Sequence, residues 1–137
     1  MKKKMFFLSI LFVLIASLAN GYELATEISD ADGKVVLSST GYAKLNLIKI
    51  DTHSKGMIDL HGTVSVNGKA NFVMWVKVEG NYYFSKLPYL QNIFNQKDVP
   101  FKIPFNAAEK TATEVILEVE LLGAGQVEVD DIKLTND

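Results

Sequence analysis

The residues best suited to ligand chemistry are one tryptophan and a lysine on the same predicted strand. Trp75 is the only tryptophan of the chain, and Lys77 follows two positions later. Alternate side chains of a strand point to opposite faces, so Phe72 and Met74 form a buried face and Trp75 points outward. An outward indole offers a flat apolar surface on which a sugar ring can stack, while a polar neighbour fixes the orientation. The alternative is that the segment 87–96 or a neighbouring strand covers Trp75 as part of a second small core.

A cluster of aromatic residues follows the tryptophan strand. It consists of Tyr82, Tyr83, Phe84, Tyr89 and Phe94. Strand alternation separates Tyr83 from its two neighbours, so one of the two sets faces outward and would line a groove together with Trp75. The alternative is that an otherwise loose loop is pinned to the sheet by apolar side chains, namely Phe84, Leu87, Leu90, Ile93 and Phe94.

Outward glutamates on a late strand supply further polar groups. Glu118 and Glu120 alternate with apolar residues, and we expect them to contact the same ligand as Trp75. With Glu114 they also invite comparison with the carboxylate pair of a glycosidase. Glutamates on the solvent face of an amphipathic strand are ordinary, however, and the two histidines fit no zinc or triad pattern. The sequence therefore predicts a protein without catalytic activity.

Charge and cysteine content limit the classes of partner. The chain has 137 residues and a formal net charge of −2, and all 14 of its basic residues are lysine. A negative chain without arginine is poorly suited to nucleic acid, whose recognition depends on basic patches and bidentate arginine. The absence of cysteine excludes disulfides, so the hydrophobic core alone must stabilise the fold.

The amino-terminal segment predicts secretion. A cluster of lysines is followed by an apolar run over residues 5–18 and by small residues at Ser17 and Ala19. This pattern is typical of a signal peptide at residues 1–19, which leaves a single domain at residues 20–137. The apolar run is shorter than the roughly 20 residues that span a membrane, and no later segment is long and apolar enough to do so. We therefore expect a secreted or periplasmic protein.

Apolar alternation predicts strands through most of the remaining chain. About eight short strands with regularly spaced turns predict an all-β, antiparallel β-sandwich. Asn67-Gly68 predicts a hairpin turn between two of the strands. A change of side near Ile48 predicts a bulge, and two prolines predict that the strand Val99–Phe105 lies at an edge or is irregular. The non-alternating segment 87–96 predicts a loop with one helical turn.

The closing segment Gly123–Leu134 breaks its own alternation. Val127 and Val129 are spaced to point to one face of the strand, whereas the spacing of Ile132 and Leu134 would place them on the other face. The parity changes at Asp130-Asp131, which predicts a β-bulge there.

Three pieces of the chain follow one another in order: the tryptophan strand Phe72–Gly80, the edge strand ending near Phe105 with the short turn after it, and the closing segment from Leu121 to Leu134. In this order they resemble the galactose-binding-like jelly roll shared by many carbohydrate-binding modules. The chain is also similar to sandwich domains of some bacterial regulators and of secreted proteins of unknown role. The resemblance covers roughly residues 40–135 and implies the jelly-roll fold with carbohydrate as the ligand class. The chain departs from the pattern at Val99, where such domains often carry tryptophan, and in its short amino-terminal portion.

The resemblance also implies a metal. In many such modules an acidic residue at the position of Asp131 helps to hold a structural calcium ion, and here Glu23 would be a partner from the amino-terminal portion. The alternative is that Asp130 and Asp131 accept hydrogen bonds from backbone N–H groups at the bulge and hold no metal.

Together these features predict a secreted module that binds carbohydrate on the sheet face around Trp75. The expected ligand contacts are the polar residues and the aromatic rim: Lys77, Tyr82, Tyr83, Tyr89, Glu118 and Glu120. The alternative is a structural module of the bacterial envelope that pairs with another protein through the edge Val99–Phe105 or through its aromatic patch.

Overall fold

The computed structural model describes the backbone of residues 15–19, 22–31 and 33–136, and the side chains of residues 28, 29 and 33–136. This part of the chain forms nine antiparallel strands and one 3-10 turn at Pro88–Leu90. The strands are β1 Ile15–Ala19, β2 Tyr22–Ala31, β3 Lys34–Ser39, β4 Ala43–Ser54, β5 Met57–Val78, β6 Asn81–Ser85, β7 Ile93–Asn106, β8 Ala112–Leu121 and β9 Gly125–Asn136.

The long strand β5 belongs to both layers of the sandwich. Its second half, from Ala70 onward, pairs with β6 and β8, and β8 pairs with β4. We call this sheet, in the order β6-β5-β8-β4, the first layer. The first half of β5, up to Asn67, pairs with β7 and β9, and β9 continues through β3 and β2 to β1. We call this sheet the second layer.

The predicted hairpin at Asn67-Gly68 is wrong, because the chain there passes from one layer to the other without reversing. Asn67 still pairs with Gln126 of β9, whereas Ala70 pairs with Leu121 of β8. Gly68 has φ +111°, a conformation that glycine adopts without steric cost. Asn67-Gly68 therefore does form a local bend, but the bend lies within one continuous strand.

The hydrophobic core lies between the two layers. Phe72 of β5 and Leu117 of β8 are each 1% exposed, and they represent the inward residues of the first layer. Leu60 of β5 and Val129 of β9 do the same for the second layer and are fully buried. Both sets belong to one continuous cluster of buried side chains, so the predicted β-sandwich is confirmed.

Three irregularities predicted from the sequence are present. The register of β4 against β8 shifts between Asn46 and Ile48. In the described chain β7 pairs with β5 alone and so lies at an edge. A bulge interrupts β9 opposite β5, where Asp131 has φ +54°. The 3-10 turn lies inside the predicted loop 87–96. Residues 93–96 already belong to β7, because they pair with residues 66–70 of β5, where that strand passes from one layer to the other.

The predicted signal peptide is only partly covered by the structure. Residues 1–14 lie outside the described residues, and residues 15–19 form β1, which pairs with β2. Cleavage after Ala19 stays a prediction. In the described part of the chain, no helix is long and apolar enough to cross a membrane.

Candidate binding site

The outer face of the first layer gathers aromatic and acidic side chains in register. On β5 the outward residues include Trp75 and Lys77, which pair with Ile116 and Glu114 of β8. Residues that are directly opposite in an antiparallel pair point to the same side, so these side chains share one surface. We call it the Trp75 face.

Trp75 occupies the middle of this face and is half-buried. Its indole Nε1 donates to Oε1 of Glu118 at 3.4 Å. The ring of Phe84, on the neighbouring strand β6, lies 5.8 Å from the indole at an interplanar angle of 60°. On the other side is Ile116, which is only 7% exposed although it points outward. The indole is thus supported on its flanks while part of its surface remains open to solvent.

A tyrosine, a lysine and a carboxylate meet at one end of the Trp75 face. Tyr82 Oη donates to Oε1 of Glu114 at 2.8 Å, and Lys49 Nζ lies 3.1 Å from Oε2 of the same carboxylate. Partial burial raises the pKa of Glu114, but the hydrogen bonds from Tyr82 and Lys49 outweigh this effect and hold the pKa below its ordinary value of 4.5. The Lys77 ammonium lies 5.6 Å from the centre of the Tyr82 ring.

A second carboxylate is held in the same way at the other end. Tyr42 Oη donates to Oε2 of Glu120 at 2.6 Å, and Asn71 Nδ2 donates to Oε1 at 2.9 Å. These two hydrogen bonds lower the pKa of Glu120, and the bond to the carboxylate raises the pKa of the Tyr42 hydroxyl. The Glu120 carboxylate is therefore oriented by Tyr42, just before β4, and by Asn71 on β5.

Two of the predicted contact residues lie away from the Trp75 face. Tyr83 pairs with Val76, so it points to the inner side of the sheet at its edge, where its ring lies 6.3 Å from that of Phe105. Tyr89 lies on the 3-10 turn, and its hydroxyl accepts a hydrogen bond from the Lys102 backbone N–H at 3.3 Å. The other predicted residues are on the face: Trp75, Lys77, Tyr82, Glu118 and Glu120.

Sequence reasoning did not identify three residues that complete this face. Tyr42, Lys49 and Asn71 each bind one of its carboxylates. The one signal in the sequence was spacing: Tyr42 lies two residues before Lys44, so alternation places both side chains on the same face. In the structure Tyr42 is 46% exposed. Its partner Glu120 is 78 residues away, so only the strand order brings the two together.

One of the two aspartates at the β9 bulge accepts a hydrogen bond from the backbone. Oδ1 of Asp130 accepts a hydrogen bond from the Asp131 N–H at 2.8 Å, and the Asp131 side chain is exposed. Among the residues whose side chains are described, no group of three or more histidine, aspartate or glutamate residues is placed to hold a metal ion. The side chain of Glu23 lies outside that set, so the calcium hypothesis stays a prediction.

Chemically, the Trp75 face is arranged for hydrogen bonding and stacking. Glu114 and Glu120 have lowered pKa values, whereas a glycosidase general acid needs a raised one. Glu118 has one oxygen engaged by Trp75, and its Oε2 makes no hydrogen bond with a described residue. The face therefore offers oriented acceptors beside an indole.

Several solved structures with a similar fold are carbohydrate-binding modules. The xylan-binding CBM22-1 domain of Xyn10C from Paenibacillus barcinonensis matches with a TM-score of 0.51 and 13% identity, over 81% of this chain and 80% of that one. The CBM1 domain of BiXyn10A matches with a TM-score of 0.55 and 13% identity, over 99% of this chain and 92% of that one. The chain has the fold of a carbohydrate-binding module. A mutant of a family 29 carbohydrate-binding module agrees, with a TM-score of 0.50, 11% identity, and coverage of 98% and 92%.

The likeness to carbohydrate-binding modules is one of architecture. No protein-family model matches the sequence, and the search of curated proteins gives no match. At 11–13% identity the solved structures share the curled antiparallel sheets, and the predicted galactose-binding-like jelly-roll sandwich is confirmed on that basis.

Proposed function

We propose that this protein is a secreted, non-catalytic module that binds carbohydrate on the Trp75 face. The observation that carries the proposal is the partly exposed indole of Trp75, which lies between Glu118 and Phe84 on a face with two further hydrogen-bonded carboxylates, Glu114 and Glu120. A sugar ring would stack on the indole, and its hydroxyl groups would donate to the carboxylates beside it.

Preorganisation of the side chains supports this proposal. Binding costs about 0.5–1.5 kcal/mol for each flexible side chain that must be immobilised. Here the hydrogen bonds to Trp75, Glu114 and Glu120 already restrict those side chains before a ligand arrives. Each carboxylate oxygen can accept more than one hydrogen bond, so the internal contacts leave capacity for sugar hydroxyls.

The fold supports carbohydrate as the ligand class, because three of the matching solved structures are carbohydrate-binding modules and one of these is described as xylan-binding. A fold hosts many functions, so the choice of sugar depends on the site. Xylan is the first polysaccharide to test.

Affinity electrophoresis would test the proposal. The purified protein is run through gels that contain xylan, glucomannan, β-glucan or no polysaccharide. We expect retardation in at least one polysaccharide gel and its loss in Trp75→Ala. Tyr83→Ala is the matched control, because Tyr83 is an aromatic residue 44% exposed that points to the other side of the sheet. Equal mobility in every gel would contradict carbohydrate binding.

A protein-interaction module is the second candidate function, and an exposed aromatic patch favours it. Phe94 of β7 is 62% exposed and Tyr89 is 51% exposed, and β7 uses only one of its two edges within the described chain. An unpaired edge beside apolar rings can accept a strand from another protein. Analytical ultracentrifugation over a range of concentrations distinguishes the two functions. Self-association that Tyr89→Ser abolishes supports the interaction module, and a sugar-dependent rise in Tm of a strict monomer supports carbohydrate binding.

A further inference from the structure

A groove lies on the opposite side of the sandwich from the Trp75 face. It is an open groove of about 370 Å³ on the outer side of the second layer. Its floor is the outward side of β5 and β9, where Ser65 pairs with Glu128 and Asn67 pairs with Gln126. Lys34, at the start of β3, lines one end. No residue of the Trp75 face lines this groove.

A bulge in β7 forms the wall of the groove. Val99 pairs with Val64 and Gln96 pairs with Val66, so Lys97 and Asp98 together stand opposite Ser65. The Asp98 N–H donates to the Ser65 side-chain Oγ at 2.9 Å, which draws the bulge over the outward side of the sheet. We call residues 96–98 the β7 bulge.

A second hydrogen bond fixes the segment that leads into the β7 bulge. Asn95 Oδ1 accepts from the Gly68 N–H at 2.8 Å, at the point where β5 changes layer. Asn95 and Asp98 both have positive φ, at 49° and 54°. The wall of the groove is thus attached to its floor at two points and is part of the fold.

The polar side chains of this groove are less engaged than those of the Trp75 face. Lys34, Lys97, Gln126 and Glu128 make no side-chain hydrogen bond or ion pair with any described residue. On the Trp75 face, by contrast, Glu114 accepts from a tyrosine and pairs with a lysine. As far as the described side chains are concerned, the groove therefore presents donors and acceptors that no other side chain engages.

We propose that this groove is a second binding site, which takes a neutral, hydroxyl-rich ligand such as a monosaccharide or the end of a saccharide chain. Two lysines and two carboxylates line the groove, so its charges balance and favour neither an anion nor a cation. A hydroxyl group both donates and accepts, which matches a lining that mixes ammonium, carboxylate and amide groups. No aromatic side chain lines the groove, so hydrogen bonds rather than stacking would hold the ligand.

The site can be tested by NMR titration of the ¹⁵N-labelled full chain. The probes are glucose, xylohexaose, inorganic phosphate and glycine, each added separately. We expect glucose or xylohexaose to shift the backbone amides of Ser65, Lys97 and Asp98 in a saturable way, and phosphate and glycine to leave them unchanged. A shift with glucose identifies a monosaccharide site, and a shift with xylohexaose alone identifies a site for a chain end.

Variants separate this site from the Trp75 face. Glu128→Gln should weaken sugar binding in the groove about tenfold, the effect of losing one charged hydrogen bond. Lys133→Gln, on an exposed residue of the same strand outside the groove, should not weaken it. Trp75→Ala should leave the groove shifts intact, so failure of one site does not imply failure of the other. Shifts with phosphate or glycine only, shifts lost in Trp75→Ala, or no shift with either sugar would overturn the proposal.

Discussion

Trp75 and Glu118 are joined by a hydrogen bond across the β5–β8 pair, from the indole Nε1 to Oε1 at 3.4 Å. They are diagonal neighbours, because Trp75 pairs with Ile116 and Glu118 pairs with Val73. A diagonal contact of this kind lies within reach of long side chains on one sheet face. It fixes the indole and orients the carboxylate, so the stacking surface and the hydrogen-bond acceptor are positioned together.

Adjacent tyrosines on β6 give a matched pair of variants. Tyr82→Phe should weaken polysaccharide binding and raise the pKa of Glu114, because it removes a hydrogen bond that stabilises the carboxylate. Tyr83→Phe should change neither, since Tyr83 points to the other side of the sheet. Affinity electrophoresis measures the binding, and NMR pH titration of the Glu114 carboxyl carbon measures the pKa. An equal effect of the two variants would contradict the assignment of faces.

The glutamates of the Trp75 face make stability depend on pH in the acidic range. Glu114 and Glu120 have folded-state pKa values below the ordinary 4.5, so each favours folding where it is ionised. Their contribution is fully present well above pH 4.5 and is lost as the pH falls through the lower folded-state values. We expect the free energy of unfolding, measured by urea denaturation, to decrease as the pH falls through the folded-state pKa values of the two glutamates. Glu120→Gln should flatten the decrease, and an unchanged pH dependence in that variant would contradict the assignment.

Two phenylalanines test the position of the core. Phe72 is 1% exposed in the central cluster, whereas Phe94 is 62% exposed. Phe72→Ala should lower the free energy of unfolding by about 3–5 kcal/mol through lost burial and a residual cavity. Phe94→Ala should change it by less than about 0.5 kcal/mol, as at most surface positions. Urea denaturation with constant m-values measures both, and a comparable loss in the two variants would be inconsistent with this core.

Calcium addition tests the metal hypothesis at the β9 bulge. We expect calcium and EDTA to leave Tm unchanged, because the Asp131 side chain is exposed and Oδ1 of Asp130 is occupied by a backbone N–H. Thermal unfolding with and without calcium is the measurement, with Asp131→Asn as the matched variant. A calcium-dependent rise in Tm that Asp131→Asn abolishes would instead assign Asp131 as a calcium ligand.

The strands and their irregularities were largely predictable, because period-two alternation reports directly which face is buried. The parity break at Asp130-Asp131 is an example, since the register of β9 against β5 changes there. The prediction of a hairpin at Asn67-Gly68 was wrong, because the choice between a hairpin and a bend depends on non-local strand pairing. The same dipeptide suits a hairpin and a bend, and only the partners β8 and β9 on either side decide between them.

The candidate site was predictable only within single strands. Alternation placed Trp75 and Lys77 outward, and it separated Tyr82 from Tyr83. It did not indicate which of the two tyrosines would join the face. The contacts of Tyr42 and Lys49 with β8 depend on the pairing of β4 with β8, which no local pattern encodes.

Titration of the intrinsic fluorescence of Trp75 with a soluble polysaccharide tests the central claim most directly, because this is the only tryptophan in the chain. The polysaccharide is whichever one retards the protein in a gel, with xylan first. We expect a saturable change in emission whose midpoint agrees with the binding constant from calorimetry, and we expect no calorimetric binding in Trp75→Ala. Binding that persists in Trp75→Ala, or that leaves the emission of the wild-type protein unchanged, would contradict a carbohydrate site on the Trp75 face.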